Sequence, residues 1–189
     1  MTTTAAHAIC CAPGGSTAGH YSVVRALVDG LRVADSSVVT EVRGLVEESS
    51  ERPADIYSNA ALPGRDAALD VTIAAQDALG AGEDCCATAF RRKMRRYAHL
   101  LGPLARDGVA FRPLVWSAEG RPHPVVDRVL SFAAELAARR HPESCASQFA
   151  RRWRREIAVA LQKRLARMVR ACLPAPSRRG QRLLHGGPA

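Results

Sequence analysis

The run Ala67 to Ala75, AALDVTIAA, constrains the fold more than any other segment. Leu69, Val71 and Ile73 fall on one side of an extended chain and Asp70 and Thr72 on the other, which is the period-two alternation of a β-strand. A carboxylate in the middle of such a run is out of character, because strands are poor in Asp and a buried, unpaired charge is costly. The elements around it must therefore supply both a sheet and a partner for Asp70.

Upstream, after Gly14-Gly15, Val24, Leu27, Val28 and Leu31 recur at helical spacing and predict an amphipathic helix over Tyr21 to Ala34. Ser37 to Val42 is short and β-branched, Glu47 to Arg52 reads as a polar loop, and Pro53 leads into a second short strand, Ala54 to Ser58. The turn Leu62-Pro63-Gly64-Arg65 joins it to the strand at 67–75. From Asp84 to about Ala105, the positions of Phe90, Met94, Tyr97, Leu101 and Leu104 give one helix with a single buried face, which Gly102-Pro103 can kink or end. Asp107-Gly108 turns into a strand, Val109 to Trp116, whose Pro113 suggests a sheet edge or a bulge. Two helices close the order, Val125 to Arg140 and Ser144 to Cys172, the second striped by Phe149, Trp153, Ile157, Leu161, Leu165, Met168 and Cys172. The expectation is an α/β chain with a small mixed sheet, an αβββαβ core and two added C-terminal helices.

Charge is divided as sharply as hydrophobicity. Residues 1–90 carry a net −7 and residues 91–189 a net +16 within a total of +9. A cationic block of this kind suits a polyanionic partner, nucleic acid above all. Arg151, Arg152, Arg154 and Arg155 surround Trp153 on the last helix and are the candidate contacts to DNA, with RNA as an alternative; no small-molecule substrate is expected. Arginine supplies 25 of the 27 cations, a bias that a GC-rich reading frame explains as well as phosphate recognition does. No run approaches the roughly 18 apolar residues of a membrane helix, and no secretory leader is apparent, so the expectation is a non-membrane chain of the cytoplasm or nucleus that is not secreted. The six cysteines form no CxxC and are expected to be reduced.

Asp55 and Asp70 are the candidate acids. Strands that pair as neighbours would bring them to one end of the sheet, where with Glu41 they offer oxygen ligands to Mg²⁺ or Mn²⁺. The plainer alternative is that each begins a turn or meets an arginine such as Arg52 or Arg65. Lys93, one of only two lysines, is either a partner to these acids or a solvated cation among Arg91, Arg92, Arg95 and Arg96. Tyr97 lies on the apolar stripe.

Five blocks in order, RPADI at 52–56, GRDAALDVTI at 64–73, Lys93 with Tyr97 four residues on, GVAFRPLV at 108–115, and an upstream His7-Ala8-Ile9-Cys10-Cys11, resemble the restriction-enzyme-like endonuclease domain of certain non-LTR retrotransposon polyproteins. The resemblance spans about residues 7 to 172. It implies a restriction-endonuclease-like core over 21–172, with Asp55 as the aspartate of a PD motif that here carries an extra alanine, and Asp70 as the second metal-binding acid. Thr72 stands where common restriction enzymes have lysine, and Lys93 takes that role from the following helix. The activity implied is Mg²⁺-dependent nicking of DNA, in the nucleus. His7 and Cys11 match the second half of a zinc knuckle within 1–20, but even with His20 they fall short of four ligands, so zinc is not expected. The missing half knuckle and polymerase suggest a piece of a longer element, and 173–189 reads as a disordered basic tail. Two further readings stand beside the nuclease: a catalytically inactive nucleic-acid binder of the same fold, and a non-functional retroelement relic.

Overall fold

The computed structural model describes residues 15–47, 49–76 and 82–172, so the His7 and Cys11 half-site and the basic tail at 173–189 lie outside the described residues. The chain runs α1 (Gly15–Ala34), β1 (Val39–Thr40), β2 (Ile56–Leu62), β3 (Arg65–Ala74), α2 (Cys85–Arg96), α3 (Ala98–Arg106), β4 (Val109–Ser117), α4 (Pro124–Arg140) and α5 (Ala146–Cys172). The four strands form one mixed sheet in the order β1-β2-β3-β4, antiparallel except for the parallel pairing of β3 with β4. A parallel neighbour needs a crossover, and α2 with α3 provides it.

Alternation along β3 sorts the side chains into two cores. Ala67, Leu69 and Val71 join Leu114 and Trp116 of β4 against α1, α4 and α5. On the opposite face Ala68 packs with Tyr97, Leu100, Leu104 and Phe111 under α2 and α3. Because helices cover both faces, β4 is buried except at Arg112 and β3 is buried from Ala67 to Val71. The α/β class, the mixed sheet and the element order expected from the sequence are all present.

Several boundaries differ, for physical reasons. The first strand shrinks from Ser37–Val42 to Val39–Thr40, since Glu41 takes a left-handed φ of 57° that no strand accommodates. The second strand extends to Leu62, past the expected Ser58. Asp55 sits just before it, yet its amide still donates to Leu69 O at 2.9 Å, while Ile56 is the register partner of the same Leu69. Two residues thus meet one, as in a bulge. The helix expected from Asp84 to about Ala105, with a kink or end at Gly102-Pro103, instead divides at Tyr97 (φ −100°, ψ 16°), and α3 carries Gly102-Pro103 within it. Pro113 lies, as expected, in an edge strand of this sheet.

Helix α1 packs along α5 at unusually short range. A Cβ on Gly19 would stand 2.3 Å from Arg164 Cγ, and one on Gly30 would stand 3.0 Å from the Trp153 ring. The two glycines and the two side chains they receive are each eleven residues apart, in opposite order, so antiparallel helices meet in register three turns apart. Among the described residues no helix is long and apolar enough to cross a membrane.

Candidate active site

The acids meet where β2 enters the sheet. The Asp55 carboxylate accepts the Val71 N–H at 2.8 Å, and the Asp55 amide donates to Leu69, so Asp55 brackets Asp70 from the neighbouring strand. The two carboxylates line one cleft of about 460 Å³, together with His20, Arg52, Lys93, Tyr97 and Arg164. From α1, His20 Nε2 approaches Asp55 Oδ1 at 3.2 Å; from α2, Lys93 Nζ donates to Asp70 Oδ1 at 2.9 Å. Asp70 is the more enclosed acid, its side chain 8% exposed against 19% for Asp55.

These surroundings push the two acids apart electrostatically. At Asp70, burial raises the carboxyl above its ordinary range, and nearby Asp55 adds to that; the ammonium of Lys93 and the Thr72 hydroxyl only partly oppose it. At Asp55, burial also pulls upward, but the His20 contact, the Val71 amide and the charge of Lys93 together outweigh it and hold the carboxyl below its ordinary range. One acid is thus kept ionised while its neighbour ionises reluctantly.

Lys93 reaches this place because α2 is anchored at its N-terminus. Asp84 caps the helix by accepting the Cys86 and Ala87 amides and also binds Arg121 at 2.7 Å. The cap fixes which side of α2 faces the sheet, and Lys93 lies on its edge. The lysine is therefore not one more solvated cation of the helix, and neither Arg52 nor Arg65 is the partner of Asp55 or Asp70. Tyr97 is buried, edge-on to Phe111, with Lys93 Nζ 5.9 Å and Arg96 Cζ 5.3 Å from its ring centre.

Other candidates lie elsewhere. Glu41, expected on a strand beside the two aspartates, lies past the end of β1, and its carboxylate pairs with Arg52 at 3.4 Å. Among the described residues no three acids, histidines or cysteines are grouped to hold a metal, and Glu41 is not among the residues that line the cleft of Asp55 and Asp70. Arg151, Arg152 and Arg155 line a separate hollow of about 420 Å³ with Glu143 and Gln148. Arg154 binds Asp127 and Arg152 binds Glu156, both at 2.9 Å. Trp153 is buried, as its place on the stripe requires, and the four arginines are exposed.

Two residues of the cleft, His20 and Arg164, were not among the expected site residues of the sheet. His20 stood out only as a stray zinc ligand, and its approach to Asp55 is a tertiary contact with no local signature. Arg164 did carry a signal: Ile157, Leu161, Arg164 and Met168 step by 4, 3 and 4, which places an arginine on the buried stripe of α5. No protein-family model and no curated protein matches this chain.

Proposed function

We propose that the chain is a restriction-endonuclease-like, Mg²⁺-dependent DNA-nicking domain of non-LTR retrotransposon origin, acting in the nucleus. The observation that carries the reading is the convergence of Lys93 on Asp70, beside Asp55, in one cleft lined from β3, α2 and the segment that leads into β2, with α1 and α5 at its side. Two carboxylates and no sulfur or third acid is a donor set that fits Mg²⁺, which takes one or two carboxylates and fills its remaining positions with water and substrate phosphate. Bound there, the ion would supply a water of lowered pKa and neutralise developing charge. Asp55, held ionised, and Asp70 are the residues that would hold it. Lys93, tied to Asp70, would orient a water or donate to the phosphate once substrate enters.

A specific observation favours a second reading, a nucleic-acid binder without cleavage. The exposed arginines of α5 line their own hollow, so DNA can be held there without a phosphate reaching the carboxylates. Nicking of supercoiled plasmid separates the two. Wild-type protein is expected to nick in Mg²⁺ and not in EDTA, and Asp70→Ala to abolish nicking while DNA affinity holds or rises slightly. Folded Asp70→Ala protein that nicks at the wild-type rate would refute the metal-site assignment, and a wild type that binds but never cuts leaves the binder reading.

A further inference from the structure

Arg164 presents a problem of charge. It is 6% exposed, its Nε is buried with no hydrogen-bond partner among the described residues, and its side chain lines the cleft that holds Asp55 and Asp70. The other basic side chains of that cleft each lie against an acid: Lys93 against Asp70, His20 against Asp55, and Arg52 against Glu41. Burial weakens the hold of Arg164 on its proton, and no charged neighbour among the described residues offsets that loss. A guanidinium whose Nε is buried without a partner is costly, and an anion that reaches its terminal nitrogens from the cleft would offset that cost.

The local packing is built around this side chain. Arg164 occupies a position on α5 where the stripe calls for a hydrophobe, and α1 makes room for it with Gly19, where a Cβ would stand 2.3 Å from Cγ, 2.5 Å from Cδ and 2.9 Å from Nε. The close approach presses the stem of the arginine between the helices and leaves the guanidinium at the cleft.

We propose that Arg164 is the oxyanion seat of the cleft, taking a non-bridging oxygen of a nucleic-acid phosphodiester and so setting where the backbone lies relative to Asp55 and Asp70. The planar guanidinium suits a phosphate oxygen pair, and among the described residues it is the cleft cation whose binding of an anion breaks no existing ion pair. The assignment rests on reading the cleft as a phosphodiester site. Arg164 is a positioning residue here, not a proton donor.

The test is binding of a fluorescent hexathymidylate by the whole chain in EDTA, read by anisotropy over a salt series alongside thermal unfolding. Arg164→Met keeps the stem and removes the charge. It is expected to melt at or above the wild-type temperature while binding about ten- to hundredfold more weakly, with a salt slope flatter by about 0.7. Arg164→Lys should recover part of the affinity. Gly19→Ala, which displaces the guanidinium without removing it, should weaken binding as well and serves if the methionine variant does not fold. Wild-type affinity in folded Arg164→Met or in Gly19→Ala overturns the proposal. Because these measurements need no metal and no cutting, binding that depends on Arg164 without Mg²⁺-dependent nicking would keep the seat and sink the nuclease; nicking with unchanged affinity in Arg164→Met would do the reverse.

Discussion

Asp55 and Asp70 share one cleft and answer pH in opposite directions. The carboxyl of Asp55 is held below its unfolded value near 3.8, so its contribution to stability is present above that value and is lost as pH falls through the lower, folded one. Asp70 is raised above the same unfolded value, so its contribution is fully present below it and is lost as pH rises through the folded value. At neutral pH an ionised Asp70 therefore costs stability. Asp70→Asn should melt higher than wild type at pH 7, and the gap should close near pH 3. Asp55→Ala should lose about 1–3 kcal/mol at pH 7, because the buried Val71 amide is left without its acceptor. Thermal unfolding at the two pH values checks both signs. Asp70 could be singled out in the sequence because a charge inside an apolar alternating run demands a partner. Its pairing with Lys93, on an element 23 residues away, depended on helix facing that spacing alone only bounded.

At the scale of elements, the strands and helices were legible where one periodicity ran long enough to dominate, as in β3 and α5. They were not legible where a single residue decided the matter. The left-handed Glu41 ends β1, the doubled pairing at Leu69 displaces Asp55 from the strand proper, and Tyr97 divides the helix; none of these leaves a mark in hydrophobic period. Helix α2 is the element on which the candidate site depends, since it delivers Lys93. Its cap is testable: Asp84→Ala should lower the melting temperature and reduce Mg²⁺-dependent nicking together, while Asp84→Asn, which can still accept the Cys86 and Ala87 amides, should do less of both. Because Arg121 and the amides hold Asp84 well below the usual carboxylate range, its support should be fully present above the unfolded pKa near 3.8 and be lost only in stronger acid, as pH falls through the lower folded value. In α5, Trp153→Ala removes the largest fully buried side chain, and a loss of about 3–5 kcal/mol in denaturant unfolding is expected.

For the molecule as a whole, α5 carries arginines on two sides, one buried at the cleft and the others exposed. Arg155 and Arg164 are nine residues apart, which on a helix is about half a revolution. Arg151, Arg152 and Arg155 therefore face away from the cleft, while Arg154, ten residues from Arg164, lies about 80° to the side; the charge count along the chain did not reveal this arrangement. Replacing Arg151, Arg152, Arg154 and Arg155 with Ala should weaken binding of long duplex DNA, flattening its salt dependence by about 0.9 for each phosphate that is no longer neutralised. Hexathymidylate seated in the cleft should bind the same variant as tightly as wild type. Arg151 and Arg155 should account for most of the weakening, because Arg152 and Arg154 already hold Glu156 and Asp127. Anisotropy with the two lengths of DNA decides the point.

The paired glycines of α1 also tie distant places together. Gly30 receives Trp153 three turns from where Gly19 receives Arg164, so neither contact can slide along the helix axis without disturbing the other. A methyl added at Gly30, about 17 Å along α1 from Gly19, must displace Trp153 or lift α5, and either shift moves the far end of the same rigid helix. Gly30 is then an energetic handle on a site it does not touch. A double-mutant cycle of Gly30→Ala with Arg164→Met should give a non-zero coupling free energy for hexathymidylate binding, although the two residues are three helical turns apart.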